Sequence, residues 1–262
     1  MKASNVKVPS VITRIYAVWY RHMKVYTSNL FSNGLPPFME PLIFLAGIGL
    51  GLGKYIVEMD GIPYITFLAS GLFVTSAMFT SSFECTYGTF IRMNFDKAYD
   101  GILSAPVSFY NLMIGEILWA GTKGFFFSFA VLVIIRIFGI ITNPLSLLSP
   151  LVGFLTGIMF SVLALLITSV VKNINHFNFF FTGFLSPMFF FSGVVFPVKN
   201  LPEVIRPVVE FVPLTHAVRL VRALCIPGNW KTSLIYDLLY IIFFTAIIGY
   251  FALKRLRKRM IH

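Results

Sequence analysis

Six apolar runs, at 35–56, 63–83, 109–138, 145–171, 177–196 and 233–253, decide what this chain can fold into. Each reaches the roughly 20 residues that a helix needs to cross a ~30 Å hydrocarbon core, where backbone survives only as helix or closed barrel. The runs are continuous and do not alternate, which excludes the barrel. Composition agrees, since 57% of the 262 residues are hydrophobic and 12% are charged, against ~25% charged in a soluble domain. The expected fold is an all-α membrane protein: one domain over 1–262 with six transmembrane helices. An amino-terminal interfacial amphipathic helix is expected at 8–30, and short re-entrant helices at 198–225, between the fifth and sixth spans.

An even number of spans puts both termini on one side. The first 24 residues carry Lys2, Lys7, Arg14, Arg21 and Lys24, and the tail carries Lys254, Arg255, Arg257, Lys258 and Arg259. The positive-inside rule makes that side the cytoplasm. Arg92, Lys97 and Lys172 then lie on inside loops, and Glu58 and Asp60 lie outside; only the long outer connection, with Lys199, Arg206, Arg219, Arg222 and Lys231, opposes the rule. The net charge of +11 does not point to nucleic acid, because ten of the 21 basic residues flank the membrane, where they meet anionic lipid. No cleavable signal peptide is expected, and Cys85 and Cys225 fall at opposite faces, which argues against a disulfide or a metal site.

Ahead of the first span, Ile12, Ile15, Tyr16, Trp19, Met23 and Tyr26 recur on one helical face, with Arg14, Arg21 and Lys24 opposite. That pattern is an interfacial helix, either a plain anchor or a lever between a cytoplasmic partner and the first span. Gly47, Gly49, Gly51 and Gly53, and again Gly153 and Gly157, have the small-residue spacing of closely packed membrane helices. The GLGLGK run fails the phosphate-loop spacing and has Tyr55 where Ser or Thr belongs, so no nucleotide site is expected in this chain.

Between the fifth and sixth runs, Pro197, Pro202, Pro207 and Pro213 divide segments too short to cross. They read as helices that dip into the outer leaflet and return, either a gate or an amphipathic surface loop. In the loop at 84–108, Phe95, Tyr99, Ile102 and Leu103 share a helical face and Asp96, Lys97 and Asp100 occupy the other, until Ser104 to Pro106 stop the helix. Such a helix either docks in a groove of a soluble partner or lies on the membrane surface.

Four motif blocks then add a resemblance: FECTYGTFIRM at 83–93, KAYDGILSAPVS at 97–108, GEILWAGTKG at 115–124, and SGVVFP, LP and PLTHAVRLVRAL within 192–224. With them the chain resembles the membrane subunits of type-2 ATP-binding-cassette exporters, and within these the nodulation-type lipo-oligosaccharide (NodJ-like) permeases. The resemblance implies a half-transporter that pairs with a second copy, as a homodimer, and with two copies of a cytoplasmic ATPase. That subunit would bind the ATP and Mg²⁺, and this chain would bind no cofactor and act as a transport subunit, not an enzyme. It implies that the inside loop couples to the ATPase through Arg92, Phe95, Asp96, Lys97, Tyr99, Asp100 and Leu103. The interfacial helix, with Arg14, Trp19 and Arg21, would meet the same partner. An outer gate would draw on Phe196, Pro197, Pro213, His216 and Arg219.

Ionisable residues in or near spans, Glu40, Glu116, Lys123 and Asp237, are costly in lipid and so are functional candidates. Glu116 and Lys123, seven apart, suit a pair or polar ladder at a cytoplasmic entrance shared with Glu84, and Glu116 is expected to bond to the coupling region. The expected function is export of a lipo-oligosaccharide, polysaccharide or glycolipid across a bacterial plasma membrane, the inner membrane if Gram-negative. Hydrophobic drugs are the alternative cargo. An ion-coupled carrier or channel is the alternative machine, and it lacks the repeats and discontinuous mid-membrane helices it requires. An embedded enzyme is disfavoured because no His, Asp or Glu cluster shows metal or acid-base spacing.

Overall fold

The computed structural model describes residues 9–53, 55–228 and 233–260. Lys2, Lys7, Lys54, Lys231 and the expected start of the interfacial helix at residue 8 lie outside them. The chain opens with α1 (Val11–Ser28), whose first turn is capped by the Ser10 hydroxyl accepting from the Thr13 amide, and with the short α2 (Leu30–Gly34). Next comes α3 (Pro36–Phe44), started by two prolines, with a π turn at Leu45–Leu50. A two-stranded hairpin, β1 (Glu58–Met59) and β2 (Ile62–Pro63), leads into α4 (Tyr64–Phe83). A π turn at Glu84–Gly88 joins α4 to α5 (Thr89–Asn94), and α6 (Ala98–Leu103) follows.

The second half is built on α7 (Phe109–Ile137), capped by Ser108, and α8 (Ser149–Val170). Then come α9 (Phe177–Phe180), a π turn at Phe181–Leu185, and α10 (Ser186–Phe191). The short α11 (Arg206–Glu210), the amphipathic α12 (Pro213–Cys225) and the long α13 (Ser233–Met260) complete the chain.

Among the described residues, four helical stretches are long and apolar enough to cross a membrane: Tyr64–Asn94, Phe109–Ile137, Pro144–Val170 and Ser233–Met260. The most apolar window of the first is 83% buried and that of the last 17% buried. The α4–α5 rod is therefore the central post, and α13 is the outermost, with most of its side chains left for lipid. Glycine sets the spacing between α7 and α8. A Cβ on Gly153 would collide with the Ser128 hydroxyl, and one on Gly124 would lie 2.8 Å from the Gly153 carbonyl. The expected close packing at Gly153 and Gly157 is thus present.

The other two expected spans are shorter and interrupted. Pro41 inside α3 removes an amide, and the glycine-rich π turn follows it. α10 stops at a buried turn through Ser192, Gly193 and Val194, with Gly193 at φ +84°, a value only glycine takes without strain. The glycine spacing of the first run is split: a Cβ on Gly47 or Gly51 would touch nothing within 4 Å, whereas one on Gly49 would lie 3.2 Å from Ile65 Cδ1 on α4. The re-entrant segment also differs from its expected pieces. Residues 201–205 are not helical, and Pro213 starts α12 where a break was expected, because a proline in the first turn has no amide to leave unpaired.

Candidate functional site

Glu84, Arg92, Glu116, Lys123 and His22 meet at one end of the helical bundle. Glu84 sits on the π turn that closes α4, where the extra residue per turn re-aims the side chain. The Arg92 guanidinium spans the gap between two carboxylates: Nη1 is 2.7 Å from Glu84 Oε1, and Nη2 is 2.8 Å from Glu116 Oε2. Lys123 Nζ lies 2.9 Å from Glu84 Oε2, and His22 Nε2 lies 2.8 Å from Glu116 Oε1. The result is a ladder of alternating charge across α1, the α4–α5 rod and α7. Of the two expected forms, pair or polar ladder, Glu116 and Lys123 take the second: they form no direct pair and are linked through Arg92 and Glu84. The expected bond from Glu116 to the coupling loop is the one to Arg92.

Glycine 115 makes the ladder possible. A Cβ there would come within 2.6 Å of Val18 Cγ1, so α1 lies directly against α7. That approach also sets Trp19 Nε1 2.9 Å from the Thr122 hydroxyl and stacks His22 over Trp119. The face expected to lie wholly in lipid is therefore split. Ile15, Trp19 and Tyr26 are half-buried beside the buried Val18 and His22, which border that face, while Ile12, Tyr16 and Met23 stay exposed. Arg14 and Arg21 are half-buried, and Arg14 donates to the Pro9 carbonyl. Burial first, then the Glu84 charge, pushes the Tyr26 phenol up to about 12.

The candidate coupling residues divide into two sets. α5 ends at Asn94, and Lys97 takes a left-handed conformation at φ 48° before α6, so 95–103 is not one continuous helix. Phe95, Asp96, Lys97 and Asp100 are exposed, whereas Tyr99 is buried and Leu103 is half-buried against the core. Tyr99 OH accepts from Arg92 Nε at 3.4 Å. Burial, and secondarily the Glu116 carboxylate, hold its phenol well above the ordinary range. Arg92 and Tyr99 thus face inward and tie the loop to the bundle, Leu103 packs on the core, and the surface is left to Phe95, Asp96, Lys97 and Asp100.

His22, Glu84 and Glu116 also overturn the expectation that no His and acid cluster exists. One potential ligand atom from each lies within 4.8 Å of the others. Sequence spacing concealed this, because His22 and Glu116 are 94 positions apart. Each carboxylate oxygen already faces Arg92, Lys123 or His22, so the place a cation would take is filled by side chains. His22 was missed, although it follows Val18 by four residues on the face that meets α7.

At the opposite end, His216 Nδ1 is 2.6 Å from Asp237 Oδ1, and its Nε2 is 2.8 Å from the Glu210 carbonyl. Arg219 bonds both Glu210 and Asp237. Asp237 Oδ2 is buried with no partner among the described residues. Pro197, Arg219 and Asp237 line a cavity of about 400 Å³. Phe196 is half-buried and lies outside that lining, and Pro213 faces a separate apolar cavity. Arg222 holds the broken end of α10, donating to the Gly193 and Phe67 carbonyls at 3.0 and 3.3 Å. Buried irregular backbone needs such a donor. Cys85 and Cys225 are both buried free thiols.

Residues 13–226 match the ABC-2 type transporter family. The chain is 34% identical over 206 residues to Nodulation protein J of Sinorhizobium fredii (strain NBRC 101917 / NGR234), covering 79% of each protein. It is 37% identical over 207 residues to Nodulation protein J of Rhizobium meliloti (strain 1021), again covering 79% of each. To the inner membrane transport permease YadH of Escherichia coli (strain K12) it is 22% identical, covering 76% of each.

Proposed function

We propose that this chain, which belongs to the ABC-2 type transporter family, is the membrane-spanning permease subunit of an ATP-driven exporter that moves a lipo-oligosaccharide, polysaccharide or glycolipid outward. Two copies pair with each other and with two copies of a cytoplasmic ATPase, which binds ATP and Mg²⁺. The complex sits in a bacterial plasma membrane with both termini in the cytoplasm.

Arg92 is the observation that carries this reading. It bonds Tyr99 on the loop side and Glu84 and Glu116 on the bundle side, so a push on the exposed residues Phe95, Asp96, Lys97 and Asp100 is transmitted to α1, α4 and α7 together. The ATPase biases this body between two arrangements, and cargo crosses as the population shifts. At the far end, the cluster of His216, Arg219 and Asp237 holds α12 against α13 and keeps the outlet closed.

Reconstitution with and without the ATPase subunit tests the proposal. Flipping of a fluorescent lipid-linked oligosaccharide is expected only with both subunits and hydrolysable ATP. Transport by this chain alone, driven by an ion gradient, would sink it.

A further inference from the structure

His216 sits in the clasp that joins α12 to α13, and both of its ring nitrogens face acceptors. Nε2 is 2.8 Å from the Glu210 carbonyl, an oxygen that can only accept, so this nitrogen carries a hydrogen. Nδ1 is 2.6 Å from Asp237 Oδ1. A neutral ring has a single N–H, and with that N–H given to the carbonyl it would turn a bare lone pair toward a carboxylate oxygen. The close approach therefore requires one proton more than a neutral imidazole beside an ionised carboxylate would hold.

The surroundings call for the same proton. Arg219 donates to Asp237 Oδ1 at 3.2 Å and also to the Glu210 carboxylate, so two acids share one guanidinium and a single negative charge is left over. A proton on His216 cancels it. Tyr240 stacks on the imidazole, with ring centroids 3.8 Å apart and planes 18° apart, and an aromatic face favours a cation. The Tyr240 hydroxyl is engaged elsewhere, donating to the Phe211 carbonyl. Asp237 Oδ2 is buried without a partner among the described residues, so a proton placed there would meet no acceptor. α4 and α8, which also pack on α12, carry no charged residue. Of the other charged groups on the neighbouring cavity wall, Lys199 pairs with Asp60, and Arg222 donates to backbone carbonyls.

We propose that His216 and Asp237 form a proton-binding site, and that the proton held there keeps α12 closed on α13. The inference deepens the exporter reading above, on which it rests for one point: that reading puts this end outside and makes the clasp the seal of the outlet. The sign follows from the donors. With the proton in place, His216 donates to both Asp237 and Glu210, and the cluster is neutral. Without it, a lone pair faces a carboxylate oxygen and an uncompensated negative charge stays buried, where a low dielectric makes the repulsion strong. Acid outside therefore seals the outlet, and alkali outside loosens it.

The test uses the full chain assembled with its ATPase in phosphatidylcholine nanodiscs, with nitrogen-15 in the histidine rings, from about pH 5 to about pH 9, a span that crosses the ordinary imidazole range. His216 is one of four histidines, and His216→Gln assigns its signal. Both ring nitrogens are expected to be protonated at the acid end. Hydrogen exchange across 213–225, corrected for its intrinsic pH dependence, should quicken about tenfold as that second proton leaves, because exchange tracks opening. Asp237→Asn supplies the discriminating variant, since its amide can donate to a bare Nδ1 and removes the extra negative charge. In it the ring should stay neutral, and the exchange should vary less than about twofold over the same range. A bare Nδ1 in the wild type throughout, exchange that does not follow the ring proton, or an unchanged pH response in Asp237→Asn would overturn the proposal. Neither readout needs ATP or cargo, so the two readings fail separately: absence of ATP-driven flipping removes the exporter and leaves the proton site, and a bare Nδ1 removes only the site.

Discussion

At the scale of single residues, the informative groups are the ones that pay to be charged out of water. Glu116 is fully buried and answers to two partners, Arg92 and His22. Removing one member of such a network leaves an uncompensated charge, which costs about 3–5 kcal/mol, whereas replacing both members by uncharged groups costs far less. Arg92→Met should therefore lower the thermal unfolding temperature of the detergent-solubilised protein sharply, and Arg92→Met with Glu116→Gln should recover a large part of the loss. Equal losses in the single and double variants would show that Arg92 contributes by packing alone. The sequence exposed Glu116 and Lys123 as candidates because charge inside apolar runs is legible one residue at a time, and Glu84 because it directly follows such a run. Their pairing was not legible. His22 has no anomaly of its own to mark it, only a place on the face that Gly115 allows against α7.

At the scale of elements, one small-residue spacing gave two outcomes. Gly153 is in contact with Ser128 and Gly124, while Gly47 faces open space. Gly153→Ala should destabilise by about 1–3 kcal/mol, because the added methyl overpacks the α7–α8 seam. Gly47→Ala should be neutral or stabilise by about 0.5–1 kcal/mol, through helix propensity alone. Thermal unfolding of the two variants side by side checks this, and equal effects would refute the seam. Hydropathy located α4, α7, α8 and α13 well, since a run of apolar side chains depends on nothing distant. It overstated 35–56 and 177–196, where Pro41, the two π turns and Gly193 shorten the helix within a run that remains apolar.

At the scale of the whole molecule, the ladder makes α1, the α4–α5 rod and α7 one body. Spin labels at Lys24→Cys and Lys97→Cys, both at exposed positions, in a background with Cys85 and Cys225 replaced by serine, should keep one distance distribution with and without ATP in the assembled exporter. A shift between them would show that α1 and the 95–103 loop move independently. The sequence by itself determined the membrane, the helical class and the family, because hydropathy, proline and local motifs act within a few turns of chain. Only the tertiary structure decided which charges meet. Arg92 reaches Glu116 across 24 residues and His22 reaches it across 94, and a pairing at that separation follows from how closely helices approach, which glycines such as Gly115 and Gly153 set one contact at a time.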